Sequence, residues 1–275
     1  MPKIRLDISL FEQGLAESQE LAQRLVIAGK VRVDGQLAVA PSQMIKADAK
    51  LDVDSGKRFV SRGGDKLAAA LDAFSVNVQD LVCADAGAST GGFTDCLLQN
   101  GAAKVYAIDV GHGILAWELR NDPRVVVMEQ TNARHVEKLD EPVDLVVIDA
   151  SFISLKVLLP VIKKWLPSPA RGGGAGGGSS VIALIKPQFE AKRDEVSRGK
   201  GVIRDAEIHK RVLREILDFA QEQGFTLRGL IRSPIQGPKG NVEFLVWLGM
   251  GEGEIVDQEK VISRAVSSER ERKER

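Results

Sequence analysis

From Leu81 to Lys186, short apolar runs that end in a charge alternate with stretches of helical periodicity, and that alternation leaves few folds open. Strands are expected at Leu81–Asp85, Lys104–Asp109, Val125–Glu129, Val143–Asp149 and Val181–Lys186, with helices between them at Gly92–Asn100, Ile114–Leu119 and Leu155–Leu166. Neighbouring parallel strands need a crossover, usually a helix, so the pattern predicts an α/β fold with helices on both faces of a parallel sheet. One helix precedes the first strand, running from Val60-Ser61-Arg62-Gly63-Gly64-Asp65-Lys66 through Leu67, Ala70, Leu71 and Phe74. Another, Ala206–Gln223, leads to two closely spaced strands, Leu227–Ile231 and Val242–Leu248, which predict an antiparallel hairpin at the sheet's end.

The first fifty-odd residues have a different texture. Ser18 is placed to cap a helix carrying Leu21, Ala22, Leu25 and Val26, which Gly29 closes. Val31–Val33 and Leu37–Val39 flank Asp34-Gly35, a tight hairpin turn, and Leu51–Val53 adds a strand. Asp54-Ser55-Gly56-Lys57 reads as a linker. The resulting division is a small module at 1–56, a linker at 57–60, a catalytic-size domain at 61–252 and a charged tail at 253–275. The Gly/Ser tract Arg171–Ser180 reads as a flexible surface loop.

Several classes drop out on composition. No apolar run reaches eighteen residues, and the start of the chain lacks the apolar core of a signal peptide, so a cytoplasmic location without membrane is expected. Cys83 and Cys96 are too few for a disulfide framework or a metal site, so no metal is expected. The net charge is zero, yet 13 acidic and 5 basic residues fall between Asp72 and Asp149, leaving 33 basic against 25 acidic elsewhere. A zero total can therefore conceal a basic face.

The sharpest motif is Asp85-Ala86-Gly87-Ala88-Ser89-Thr90-Gly91-Gly92-Phe93-Thr94-Asp95, which leaves a strand and opens a helix. Its glycines let backbone approach a ligand, and Asp109, at the end of the next strand, can accept ribose hydroxyls. A phosphate-cradling loop would end in Gly-Lys-Ser/Thr, and a dinucleotide loop would read Gly-x-Gly-x-x-Gly; this loop does neither. An acid at its start favours a cationic ligand, S-adenosylmethionine, over a pyrophosphate. Val110 follows Asp109 in that site, and Asn132, after the third strand, is either an adenine contact or a turn former.

Asp149 and Lys186 end adjacent apolar strands at the crevice where open parallel sheets bind ligands. Charges there need a partner or a task. Lys66 and Glu243 are further candidates, although pattern alone would put Glu243 on a solvent-facing strand position. The fourth strand lacks the Asp/Asn-Pro-Pro-aromatic run of amino-directed methyltransferases, and neither cysteine lies at a strand's carboxyl end to act as a nucleophile. A lysine-rich site instead suits a hydroxyl acceptor.

These residues resemble the TlyA family, known both as hemolysins and as ribosomal-RNA methyltransferases. The catalytic part looks like the FtsJ class of ribose 2′-O-methyltransferases, whose Lys-Asp-Lys-Glu tetrad maps by motif onto Lys66, Asp149, Lys186 and Glu243. The resemblance implies a Rossmann-like seven-stranded methyltransferase sheet, mostly parallel with one antiparallel strand, preceded by a small α+β RNA-binding domain. The donor it implies is S-adenosylmethionine, held by Asp85, Gly87, Ser89, Gly91, Gly92, Phe93, Asp109, Val110 and Asn132. The partner it implies is ribosomal RNA or a ribosomal subunit, with cytidine as the target nucleoside; monomer and homodimer both stay open. The N-terminal module resembles an S4-type RNA-binding domain, carried by Arg5-Leu6-Asp7, Gly29–Gly35 and Pro41-Ser42, with Arg5, Arg24, Lys30 and Arg32 as phosphate contacts. It departs from that pattern at Ser18-Gln19, where Ser-Arg is usual, as the donor site does at Ile114. The rival readings are a non-catalytic RNA-binding or assembly protein, a hemolysin-type cytolysin, and an enzyme methylating a base or a protein.

Overall fold

The computed structural model describes residues 3–54, 56, 58–167, 179–251 and 256–267. It divides into two units, Met1–Arg58 and Phe59–Arg275.

In the first unit, β1 (Lys3–Arg5) leads into α1 (Leu6–Glu12) and α2 (Gln19–Ile27). Then come β2 (Val31–Val33), β3 (Gln36–Leu37), β4 (Met44–Lys46) and β5 (Leu51–Val53). The β1–β4 pair and the β3-β2-β5 sheet enclose, with the helices, a core of Leu6, Leu10, Ala22, Val26, Val31 and Ile45. Ser18 caps α2 as expected, its Oγ accepting from the Leu21 N–H at 3.2 Å. Asp34 and Gly35 both have positive φ, the geometry that a two-residue hairpin needs. The β1–β4 pair escapes the sequence pattern because three residues are too few to show an alternation.

The second unit holds α3 (Gly63–Phe74), β6 (Val82–Ala86), α4 (Gly92–Gln99), β7 (Lys104–Ile108), α5 (Trp117–Arg120) and β8 (Val125–Met128). After a 3-10 turn at Ala133–His135 come β9 (Leu145–Ile148), α6 (Leu155–Ile162), β10 (Ser180–Ile185), α7 (Pro187–Glu190) and α8 (Arg193–Arg198). The unit closes with α9 (Ala206–Glu222), β11 (Phe225–Arg232), β12 (Phe244–Met250) and α10 (Gln258–Val266). The seven strands form one sheet in the order β11-β12-β10-β9-β6-β7-β8, and β12 alone runs antiparallel to the rest. Every residue of β9 and β10 is buried, which is what unbroken apolar strands at the centre of a two-sided sheet require. Leu67, Leu71, Phe93 and Leu97 of α3 and α4 cover one face, and Leu158, Ile162, Leu213, Ile216 and Ile262 the other.

Four expectations need correction. Phe59 and Val60, assigned to the linker, pack with the second unit: Phe59 is buried against Gly64, and the Val60 N–H donates to Asp95 Oδ2 at 2.8 Å. The helix expected at Ile114–Leu119 is one turn at Trp117–Arg120, and before it the backbone N–H groups of Gly113, Ile114 and Leu115 donate to the Glu129 carboxylate. The helix expected to reach Leu166 ends at Ile162 and continues as turns through Trp165. The charged tail contains α10, whose Ile262, Ala265 and Val266 are buried; its charges mask an apolar stripe at helical spacing. Of the Gly/Ser tract, 171–178 lie outside the described residues, as do Ser55 and Lys57 of the linker and 253–255 and 268–275 of the tail.

Candidate active site

The carboxyl ends of β6, β9 and β10 open onto a cavity of about 250 Å³. One lip is the loop from β6 to α4. Its backbone takes left-handed conformations at Gly87, Ser89 and Gly91, and the N–H groups of Gly87 and Ala88 donate to the Ile108 carbonyl. A Cβ at Gly87 would stand 3.0 Å from the Ala150 backbone, and one at Gly92 would collide with Ser61 Oγ and lie 2.8 Å from Gly64 N. Glycine is required there because the β6–α4 loop, the β9 exit and the start of α3 touch backbone to backbone. Gly87, Ser89, Gly92 and Phe93 line the cavity, while Gly91 packs away from it on Leu119.

The acids of this lip support the loop. Asp85 is fully buried, and its Oδ2 accepts from the Thr94 N–H at 2.9 Å and the Thr94 hydroxyl at 2.7 Å. Burial, with Asp149 and Asp109 nearby, pushes its carboxyl up to about 7 against the pull of those bonds. Its other oxygen is buried without a hydrogen-bond partner. Asp109 accepts from the Ser89 N–H at 2.9 Å and the Gly111 N–H at 2.7 Å, joining the ends of β6 and β7. Val110 is exposed and Asn132 caps the 3-10 turn through the Arg134 N–H; neither lines the cavity, and Asn132 behaves as the turn former.

The opposite lip is built from side chains. Lys186 Nζ lies 2.6 Å from Asp149 Oδ1 and donates to Ser151 Oγ at 2.9 Å and to the Asp149 carbonyl at 3.4 Å. Lys66, on the first turn of α3, is paired at 2.6 Å with Glu243, whose side chain is only 2% exposed. Glu243 sits just before β12 and points inward, against the solvent-facing position that alternation assigns it; a Cβ on Gly237 would press on its carboxylate. Lys66, Asp149 and Lys186 line the cavity, and Glu243 backs Lys66 from behind. All four residues of the expected tetrad therefore converge, as two ion pairs.

Several neighbours escape sequence reasoning. Phe152 is 89% exposed with a φ of 63°, a conformation costly for an aromatic residue. Its ring lies 4.9 Å from that of Phe189, over which Lys186 Nζ stands at 5.8 Å. Ser61 and Arg62 before α3, and Ile235, Gln236 and Pro238 before β12, complete the wall. Phe152 follows Asp149 closely in sequence, but exposure and backbone strain leave no mark in a sequence.

In the first unit, Arg24 and Arg32 are exposed. Arg5 is engaged instead: its guanidinium forks onto buried Asp7 at 3.0 and 2.8 Å. That pair, with Gln23 and Gln19 also donating, holds the Asp7 carboxyl well below the usual range, and Asp7 ties the start of α1 to α2. The Arg5 fork is thus a structural one.

Residues 59–250 match the FtsJ-like methyltransferase model, and residues 4–51 match the S4 domain model. The chain is 46% identical over 250 residues to the 16S/23S rRNA (cytidine-2′-O)-methyltransferase TlyA of Mycobacterium tuberculosis, covering 90% of each chain. It is 41% identical to Hemolysin A of Brachyspira hyodysenteriae, covering 88% of this chain and 98% of that one. A solved chain from Streptococcus thermophilus that carries a hemolysin name is 42% identical, with full coverage of both and a TM-score of 0.70.

Proposed function

This chain belongs to the FtsJ-like methyltransferase family, in the TlyA-type arrangement with an S4 domain in front, and from that premise we propose that it methylates ribose 2′-hydroxyls of ribosomal RNA. The observation that carries the reading is the convergence of Lys66, Asp149, Lys186 and Glu243 as two ion pairs on one cavity, facing a glycine-rich loop. S-adenosylmethionine, when bound, supplies a methyl group on a positively charged sulfur. The residues present fit such a donor: Gly87 and Gly92 line the cavity without side chains, the lip they form carries no lysine, and Asp85 beneath it keeps one buried oxygen without a partner. Gly87, Ser89, Gly92 and Phe93 would hold it, with Asp109 and Asp85 fixing the loop.

Lys186 Nζ, aimed by Asp149 and Ser151, orients the 2′-hydroxyl, and the hydroxyl proton leaves through the Lys186–Asp149 pair as the oxygen forms its bond to the methyl carbon. The donor's sulfur would leave as a neutral thioether, and the proton passes to water. Lys66, fixed by Glu243, adds positive charge beside the developing oxyanion. Phe152 and Phe189 offer an exposed ring face on which the target base stacks, an arrangement suited to an unstacked nucleotide. Arg24, Lys30 and Arg32 of the S4 domain and the basic stretch Lys192–Arg214 would contact phosphates in cytoplasmic ribosomal subunits. Cytidine is the expected nucleoside, on the strength of the mycobacterial relative.

The test is transfer of labelled methyl from S-adenosylmethionine to unmodified ribosomal subunits. Label in RNA at one linkage that resists alkali supports the reading; donor binding without labelling of either subunit removes ribosomal RNA as the substrate. Some relatives carry hemolysin names, and no described helix is long and apolar enough to cross a membrane.

A further inference from the structure

Glu190 takes no part in the chemistry above, yet it grips the acceptor side of the cavity. It ends α7, the single turn that begins one residue after Lys186. Its Oε2 accepts from the Ser154 hydroxyl at 2.5 Å and its Oε1 from the Leu155 N–H at 2.8 Å. Ser154 is the cap of α6, so the carboxylate stands at that helix's amino end, where negative charge is favoured. Burial raises the Glu190 carboxyl above its ordinary range, a cost that these two bonds oppose.

The segment 149–155 is thus tied to the segment 186–190 at two ends. At one end Asp149 and Ser151 hold Lys186; at the other Glu190 holds Ser154 and Leu155. Between the ties stand Phe152, in its left-handed conformation, and Phe189, against which it rests. A strained aromatic residue that is almost wholly exposed gains little from burial, so its conformation has to be imposed by the chain on either side. We infer that Glu190 is a positioning residue: by clamping Ser154 and Leu155 it holds Phe152 left-handed and keeps the aromatic face in register with Lys186. The inference rests on the acceptor role given above to this lip.

The test uses the full-length chain and two readouts, one of which needs no RNA. The first is fluorine NMR of protein labelled with 4-fluorophenylalanine, with Phe152→Leu used to assign the Phe152 signal. Glu190→Ala is expected to shift or broaden that resonance, while Glu190→Gln, which keeps a carbonyl for the Leu155 N–H, restores it. The second is steady-state kinetics with donor affinity measured separately. Glu190→Ala should lower kcat by on the order of 10²-fold, the scale of an ångström-level misplacement, with donor affinity unchanged and with recovery in Glu190→Gln. An unmoved Phe152 signal in a folded Glu190→Ala protein overturns the inference. So does a kcat loss that donor affinity shares equally and Glu190→Gln does not repair. If the wild type labels no ribosomal RNA, the substrate reading fails, and the NMR arm still decides the clamp.

Discussion

The two lips of the cavity solve opposite problems. The β6–α4 lip is made by leaving side chains out: Gly87 and Gly92 sit where a Cβ would strike neighbouring backbone, and the acids beneath it serve as struts. The β9–β10 lip is made by putting side chains in: two lysine–carboxylate pairs, a serine and an aromatic pair, held by contacts from distant parts of the chain. A lip of backbone can shape itself to a fixed small ligand. A lip of charges and rings can change the protonation and stacking of an acceptor that arrives from outside.

That division says which function each substitution should remove. Lys186→Ala should lower methyl transfer by about 10³-fold or more, within the range of lost acid–base catalysis, while calorimetric donor binding persists. A parallel loss of donor binding would break the separation of the lips. Gly92→Ala should do the reverse. Overpacking against Ser61 and Gly64 costs about 1–3 kcal/mol, so both the melting temperature and donor affinity should fall. Phe152→Ala should raise the KM for RNA by about tenfold, the lower range of one lost base–aromatic stack, with donor affinity untouched.

The smallest effect concerns pH. The Asp85 carboxyl is pushed up to about 7 when folded, so the unfolded chain releases its proton first as pH rises. Its stabilising contribution is complete below the unfolded value and is lost as pH climbs toward 7. Asp85→Asn, which cannot ionise, should therefore be most destabilised relative to wild type near pH 4, and the gap in melting temperature should narrow by pH 7. A gap that does not change with pH would mean that Asp85 is already ionised in the fold.

The backbone lip was the more legible in sequence, for a physical reason. Glycines at positions that need bare backbone, next to a strand end and a helix start, form a contiguous string, Asp85–Asp95. Lys186 and Asp149 were legible because a charge ending a buried strand is conspicuous. Glu243 was only half legible, since alternation puts one acid in an apolar strand on the solvent side and only the family resemblance gave it a role. Phe152, Ser151 and Glu190 were missed because their roles depend on which loops the sheet order places side by side. The helix at Gln258–Val266 was missed because alternating charges outweigh Ile262, Ala265 and Val266 in composition, though not in packing. Arg5 shows what the sequence leaves out: a basic residue expected to contact phosphate also forks onto Asp7, a pairing that no local pattern marks.

The lone antiparallel strand has a consequence for the order of events during synthesis. β12 lies between β10 and β11, so β11 leaves the ribosome before its only neighbour in the sheet exists. Lys66 must likewise wait 177 residues for Glu243. Until β12 has emerged, the sheet ends at β10 with an open edge and a lysine beneath the nascent pocket lacks its Glu243 partner. The four charged residues of the proposed site therefore cannot come together before β12 emerges, and their meeting coincides with the pairing of β11 and β10 through that strand.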